Sequence, residues 1–212
     1  GSDGLIGVFV PRGKEDFRCV DEQTYQRADK GESLEETVRR IREMPSADQI
    51  ERSFDFDREY EPFRAGLLSM RERCGEMLWA PAQWTAGAKV TWYTEFGYQN
   101  YFCVVGLYPE LAAKLMAVGG AQGWCRGRLV ARAVEEGIYP RACFFGEDIC
   151  TQRGPMVSPE FLREHYAPAL RRGLQPLLDV GCKPVWHCDG DVRPLLEMLL
   201  DCGIQGLQGF QP

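Results

Sequence analysis

The feature that most constrains the fold is a change of rhythm after residue 76, where short apolar runs begin to alternate with long helical patterns. The apolar runs predict strands at 77–82, 142–146, 184–188 and 205–210. The helical patterns between them predict helices at about 91–104, 109–136, 159–180 and 193–202. Strand-helix alternation of this kind is typical of βαβ units, so the sequence predicts an α/β fold with a parallel sheet.

Local signals set the limits of these helices. Ser158 can cap the helix at 159, Pro159 suits its first position, and Glu160 favours the positive end of the helix dipole. Pro168 lacks an N–H and cannot continue the same hydrogen-bond ladder, which predicts a short helix, a break and a second helix ending near Gly181. The glycines of "VGGAQGWCRG" (118–127) weaken the preceding helix by about 1 kcal/mol each relative to alanine.

The first 75 residues have a different character, with polar connections and amphipathic helices. Ser33 and Glu36 have the spacing of a capping box. Leu34, Val38 and Ile41 follow at helical spacing, which predicts a surface helix with one buried stripe. We therefore expect a single domain over 1–212, in which 1–75 is a mostly helical peripheral segment and 76–212 carries the βα units.

Composition excludes several classes of partner. The net charge of -6 argues against nucleic acid, because a phosphate backbone demands a concentrated positive surface. No apolar run approaches the roughly 18 residues of a membrane span, so we expect no membrane partner. The nine cysteines contain no CxxC pair, and their odd number cannot be fully paired within one chain. A reducing compartment fits this pattern, and we expect a cytoplasmic protein.

The candidate chemistry lies at the ends of two predicted strands, where ligands bind in parallel α/β sheets and barrels. Strand alternation puts His187 and Asp189 on one face, if the extended geometry reaches 189, and Cys188 on the other. A carboxylate beside a histidine can fix its tautomer or join it as a metal ligand. Asp148, after the strand at 142–146, is the preferred functional acid.

Structural roles compete with these functional ones. Glu147 and Asp148 can equally cap or hydrogen-bond loop amides, and a turn there could redirect both. Cys188, facing the helix layer, behaves as a small apolar residue rather than as a zinc ligand. His165 lies within a helical pattern, so we expect a structural histidine there.

Together, "GEDICTQRGPMVSPEFLREHYAPALRR" (146–172) and "KPVWHCDGDVRPLLEMLLDCGIQGLQGFQP" (183–212) resemble the uroporphyrinogen decarboxylase superfamily. The resemblance covers about residues 76–212. It rests on four features: the acidic pair at 147–148, the Gln-x-Gly-Pro turn at 152–155, the Ser-Pro-Glu helix start at 158–160 and the His-x-Asp-Gly motif at 187–190. It implies a (β/α)8 barrel of the TIM type. Because a full barrel takes about 250 residues, we expect a barrel that is partial in this chain or completed by a partner, such as a second copy.

The methyltransferase branch of this superfamily is most similar around 148–160. It implies transfer of a methyl group involving a small methylated donor, a corrinoid or a thiol, with a corrinoid protein as a partner. Its zinc is held by a His-x-Cys motif and a later Cys. Here His187 matches the histidine, whereas Asp189 stands where the first cysteine would be and would bind zinc through oxygen. Asp148 would orient the substrate, and His187 and Asp189 would hold the metal or move a proton.

The decarboxylase branch implies a second reading, metal-independent decarboxylation of a porphyrinogen-like tetrapyrrole acid. Tyr93, in "VTWYTEFG", falls near the family's active-site tyrosine and is a catalytic candidate, although a core or rim aromatic explains it as well. The predicted substrate-binding residues are Glu147, Gln152, Arg153 and Arg193. Of these, the two arginines could supply the cationic groups that a carboxylate substrate needs. A non-catalytic binding or assembly subunit on the same scaffold is a third reading, because fold alone does not fix function.

Overall fold

The computed structural model describes residues 31–75, 82–83 and 86–209 with their side chains, and the backbone of 4–5, 17–19, 25–27, 78–79 and 210. In this part of the chain the α-helices are α1 (Leu34–Glu43), α2 (Ala47–Ser53), α3 (Phe56–Cys74), α4 (Tyr93–Phe96), α5 (Tyr98–Leu107), α6 (Pro109–Glu135), α7 (Pro159–Phe161), α8 (Ala167–Asp179) and α9 (Leu196–Asp201). The strands are β1 (Gly4–Leu5), β2 (Phe17–Cys19), β3 (Tyr25–Arg27), β4 (Leu78–Trp79), β5 (Ala142–Gly146), β6 (Cys150–Thr151), β7 (Gly154–Pro155), β8 (Lys183–Gly190) and β9 (Gly206–Phe210).

The sheet that matters for function is parallel and has the order β5-β8-β9. Along the chain, β5 is connected to β8 through the β6-β7 hairpin, α7 and α8, and β8 is connected to β9 through α9. The α/β prediction is therefore confirmed at this level. The strand limits predicted at 142–146, 184–188 and 205–210 agree with β5, β8 and β9 to within two residues. The described residues do not form a complete barrel.

The strand predicted at 77–82 can be checked only in part. Leu78–Trp79 forms β4 and pairs in parallel with β1, whereas 77, 80 and 81 lie outside the described residues. In the amino-terminal segment the capping box of Ser33 and Glu36 forms as predicted at the start of α1. Val38 and Ile41 are buried on the predicted stripe.

One face of the parallel sheet is covered by helices. Phe145, Trp186 and Cys188 are each 1% exposed, and α8 packs against β8 on one side and against α6 on the other. Phe144, Val185 and His187, which alternate with these residues, are only half-buried. The polar residues of the site are therefore carried by the more open face.

The helix α6 runs unbroken through the glycine-rich stretch. We call Gly119, Gly120, Gly123 and Gly127 the glycine row. A Cβ on Gly123 would lie 1.5 Å from the carbonyl oxygen of Gly87, and one on Gly119 would lie 2.5 Å from that of Lys89. Gly119 and Gly123 thus give up helix propensity so that the 87–89 backbone can lie directly against α6, and Gly120 and Gly127 do the same for the backbone of α8.

The helix predicted over 91–104 is wrong in its extent. The segment forms two helices, α4 and α5, which meet at Gly97. Gly97 has φ +80°, a left-handed value that ends α4 and redirects the chain into α5.

The break predicted at Pro168 is also corrected. The chain remains helical instead of breaking. A π-helical turn, Leu162–Tyr166, lies directly before α8. Pro168 then lies in the first turn of α8, where a missing N–H costs least. The helix predicted at 193–202 begins with a 3₁₀ turn, Arg193–Leu195, before α9.

Within the described residues, no single helix is both long and apolar enough to cross a membrane. The bent pair α5 and α6, which meet at 115°, passes the same length and composition test when taken together. Sixteen residues of α6 are buried in the protein, which is also the pattern of a core helix.

Candidate functional site

The parallel pairing of β5 and β8 brings three predicted side chains together. Asp148 lies two residues beyond β5, and His187 and Asp189 lie near the end of β8. One ligand atom from each of the three residues lies within 4.8 Å of the other two. We call Asp148, His187 and Asp189 the strand-end triad. The predicted alternation is confirmed, because Cys188 is buried on the opposite face.

His187 is engaged from both ring nitrogens. Its Nδ1 lies 2.5 Å from Oε1 of Gln208, the residue paired with it on β9. An amide oxygen can only accept, so Nδ1–H is the donor of this hydrogen bond. Nε2 lies 3.4 Å from Oδ1 of Asp148. The second ring nitrogen therefore faces a carboxylate oxygen of the triad, and the two atoms are close enough to bind the same metal ion.

Asp189 is placed by an irregularity in the sheet. The pairing of β8 with β9 shifts by one residue between His187 and Gly190, which is the signature of a β-bulge. The backbone N–H of Asp189 donates to Asp148 Oδ1 at 3.0 Å, so the carboxylate of Asp148 is held against the main chain of Asp189. Opposite the bulge, a Cβ on Gly209 would lie 2.8 Å from Asp189 Oδ1 and 3.0 Å from His187 Cε1. Glycine is therefore required at 209 for the triad to close.

Tyr93 reaches the site through its hydroxyl group, which donates to the backbone carbonyl of Asp148 at 2.8 Å. Burial raises the pKa of the Tyr93 hydroxyl above its usual range, and the adjacent Tyr98 raises it further. Tyr93 therefore remains a protonated donor. It contacts the backbone of a triad residue rather than the triad side chains.

Glu147 faces the opposite way from Asp148. Its Oε2 accepts hydrogen bonds from the backbone N–H groups of Val90 (2.9 Å) and Thr91, and from the Thr91 hydroxyl at 2.5 Å. Burial raises the pKa of Glu147, and the bonds from Thr91 and Val90 act against that shift. The carboxylate anchors the segment before α4, so the structure does not bring this predicted substrate-binding residue into the triad.

The other predicted substrate-binding residues lie around the site without joining it. Gln152 and Arg153 are exposed at the tip of the β6-β7 hairpin. Arg193 donates from Nε and from a terminal nitrogen to the two carboxylate oxygens of Asp191, at 2.8 and 2.9 Å. This bidentate pair raises the pKa of Arg193 and lowers that of Asp191.

Sequence reasoning missed Gln208. The alternation of side chains within each strand could be predicted from the sequence. The register between β8 and β9 could not, and it is this register that places Gln208 beside His187. A signal was present, since 205–210 was predicted as a strand and Gln208 is one of two polar side chains in it.

The other histidine, His165, lies in the π-helical turn, and its ring centroid is 4.6 Å from that of Phe161. This packing agrees with the structural role expected for it.

The donor set of the triad is one imidazole nitrogen and two carboxylate groups. Zinc accepts this combination, and so do other divalent ions that bind nitrogen and oxygen. The Asp148 side chain is 52% exposed, which leaves one side of the triad accessible to a further ligand. Three protein ligands with an open position are typical of catalytic rather than structural zinc sites.

No protein-family model matches the sequence, and no curated protein or solved structure proves similar to it.

Proposed function

We propose that this chain is a methyl-transfer enzyme in which the strand-end triad holds a zinc ion that activates a thiol acceptor. The observation that supports this most strongly is the convergence of Asp148, His187 and Asp189, whose ligand atoms lie within 4.8 Å of one another at the ends of two parallel strands. The carboxyl ends of parallel strands are where α/β proteins bind their substrates.

The roles of the residues follow from their contacts. Zinc, when bound, lowers the pKa of a coordinated thiol so that the nucleophilic thiolate forms near neutral pH. His187 would coordinate through Nε2, because its Nδ1–H is used by Gln208. Asp189 would supply an oxygen ligand in place of the first cysteine of the methyltransferase motif, and Asp148, which is close enough to join them, would supply a second. The exposed side of Asp148 is the entrance for the thiol and the methyl donor.

The reaction is a displacement in which the methyl group moves without its bonding electrons. The thiol loses its proton to solvent, and the sulfur lone pair forms the new S–C bond. With a methylcorrinoid as donor, the electron pair of the broken C–Co bond remains on cobalt, which is thereby reduced from Co(III) to Co(I). We propose a small methylated compound or the corrinoid of a partner protein as the donor.

We also propose that the three parallel strands belong to a (β/α)8 barrel, whole or partial. The order β5-β8-β9 continues in one direction along the sheet, without the reversal that defines a doubly wound fold. Helices cover the face that carries Phe145 and Trp186, whereas Val185 and His187 on the other face are half-buried. A layer of helices packed against the sheet is what the wall of such a barrel has on its outer side.

A decarboxylase has less support, because carboxylate substrates need accessible cations at the site. The guanidinium of Arg193 is already bound to Asp191, and Arg153 lies at the hairpin tip. This alternative, like the assembly subunit, is an outcome that the experiment below can reveal.

The test uses methylcobalamin and 2-mercaptoethanol with the zinc-loaded protein. We expect the S-methyl thioether by mass spectrometry, together with loss of the methylcobalamin absorbance. The chain has two histidines, so His165→Ala is a matched control for His187→Ala. The proposal predicts that turnover falls at least 100-fold in His187→Ala and stays within two-fold of wild type in His165→Ala. Release of carbon dioxide from a porphyrinogen acid by the metal-free protein, with no thioether formed, would establish the decarboxylase instead. A protein that neither turns over a substrate nor binds a ligand would favour the assembly role.

A further inference from the structure

The backbone of Asp148 is held by a side chain from a distant part of the sequence. Asp148 lies two residues beyond the end of β5, between Glu147, whose N–H donates to the carbonyl of His187, and Ile149, whose N–H donates to the carbonyl of Glu147. Its carbonyl oxygen accepts the Tyr93 hydroxyl at 2.8 Å, across 55 residues of sequence. On the same residue, Oδ1 accepts the N–H of Asp189. A single line of hydrogen bonds therefore runs from α4 through Asp148 to β8.

The Tyr93 ring is held tightly enough to transmit this constraint. It stacks on Tyr98 with ring centroids 4.1 Å apart and an interplanar angle of 15°. Tyr101 and Phe102 approach it at 6.1 and 6.3 Å. A ring packed by three others has little rotamer freedom, so its hydroxyl oxygen is fixed relative to α4 and α5.

We infer that Tyr93 is a positioning residue that sets the metal affinity of the strand-end triad by fixing the main chain of Asp148. This inference rests on the proposed metal site and assigns Tyr93 no contact with substrate. Groups that orient metal ligands from outside the ligand set change affinity by about 10- to 100-fold when they are removed. Loss of the Tyr93 hydroxyl frees the Asp148 carbonyl, and the carboxylate moves with it.

The chain offers a matched control. The Tyr101 hydroxyl also donates to a backbone carbonyl, that of Val90, at 2.7 Å, and Tyr101 is fully buried. Tyr93→Phe and Tyr101→Phe thus remove the same chemical group and the same type of hydrogen bond. Only Tyr93 is bonded to a triad residue.

The experiment measures zinc affinity by competition with a chromophoric chelator, and the visible spectrum of the cobalt-substituted protein. Tyr93→Phe is expected to weaken zinc binding about ten-fold and to change the intensity of the cobalt d–d bands. Tyr101→Phe is expected to keep the wild-type affinity within two-fold and the wild-type spectrum. Wild-type affinity and spectrum in Tyr93→Phe, or an equal loss in both variants, would overturn the inference.

A metal-free readout separates this inference from the proposed function. In the absence of zinc, hydrogen exchange of the Asp189 amide should be at least five-fold faster in Tyr93→Phe than in wild type, and unchanged in Tyr101→Phe. If wild-type protein binds no zinc, the proposed function fails, and the exchange rates alone decide whether Tyr93 positions Asp148. Equal exchange in wild type and Tyr93→Phe refutes the inference, whatever the metal binding.

Discussion

At the scale of single residues, the orientation of His187 depends on one amide group. Gln208 Oε1 accepts the Nδ1–H of His187, which directs Nε2 toward Asp148. An outer hydrogen bond of this kind fixes the tautomer of a metal-binding histidine and its ring angle, and a carboxylate in the same place raises its basicity.

The role of Gln208 is therefore testable by two substitutions. Gln208→Leu removes the acceptor and should weaken zinc binding about ten-fold, whereas Gln208→Glu supplies a stronger acceptor and should keep or increase the affinity. Competition titration with a zinc chelator measures both. Gln205→Leu, an exposed substitution just before the same strand, serves as the control. Wild-type affinity in Gln208→Leu would show that the histidine is oriented by other contacts.

Glu147 makes a prediction about pH. Burial raises its pKa in the folded protein, so its contribution to stability is complete below the unfolded pKa of about 4.3 and is lost as pH rises through the higher folded value. Relative to Glu147→Gln, the wild-type protein should therefore lose stability as pH rises above about 4.3. Urea denaturation between pH 4 and pH 8 measures this difference.

Glu136 gives a control of opposite sign. The hydrogen bond from Arg64 holds the pKa of Glu136 below its usual range, so its contribution is present above the unfolded pKa and is lost as pH falls. Wild type should lose stability relative to Glu136→Gln as pH falls below the unfolded pKa of about 4.3, so for this pair the urea denaturation series continues below pH 4. A difference between wild type and Glu147→Gln that does not vary with pH would contradict the burial argument.

The sequence predicted part of this site on simple physical grounds. Side chains alternate along a strand, so His187 and Asp189 could be assigned to one face and Cys188 to the other. The same reasoning could not separate Asp148 from Glu147 with certainty, because the chain turns after β5 and each carboxylate had a structural alternative. The role of Gln208 was not predicted, because it depends on the register between β8 and β9, which no local sequence pattern encodes.

At the scale of elements, the glycine row of α6 decides how closely the helices and the 87–89 segment approach. A Cβ on Gly123 or on Gly173 of α8 would lie 1.5 or 1.6 Å from the carbonyl oxygen of Gly87. Real Cβ atoms do not approach an oxygen this closely, so the backbone would have to move. The segment at 87–89 continues to Val90 and Thr91, which bind Glu147 beside the triad.

Gly123→Ala should therefore destabilise the protein despite its better helix propensity. The gain in propensity is about 1 kcal/mol, whereas overpacking against a fixed backbone costs about 3 kcal/mol or more. Gly66→Ala is the matched control, because Gly66 lies in α3 with nothing within 4 Å of its Cβ position. That variant should gain up to about 1 kcal/mol. Urea denaturation compares the two, and equal effects would refute close packing at Gly123.

Element limits were predictable where a local signal fixed them and not elsewhere. The caps Ser33 and Ser158 were read correctly, and so were β5 and β9. The division of 91–104 at Gly97 was missed, since a glycine in a helical pattern is compatible with continuation and only its φ value reveals the turn. The π-helical turn before Pro168 was missed because tertiary packing, rather than a sequence signal, decides between a break and a wider turn.

At the scale of the whole molecule, strand-helix alternation predicted the class of fold but not its closure. Three parallel strands in sequential order confirm the α/β prediction. Whether a sheet closes into a barrel depends on strand number and stagger, which are properties of the complete set of strands rather than of any one of them. Closure therefore stays a prediction, as do the cytoplasmic location and the partners.

The central claim is that Asp148, His187 and Asp189 hold zinc and leave a position for a thiol. X-ray absorption at the zinc edge tests it most directly, before and after addition of 2-mercaptoethanol. We expect only nitrogen and oxygen neighbours at about 2.0–2.2 Å in the protein alone, and one added sulfur at about 2.3 Å with the thiol. Sulfur neighbours before the thiol is added would assign the metal to the chain's own cysteines. That result, or a protein that takes up no zinc, would rule out a zinc site at the strand-end triad.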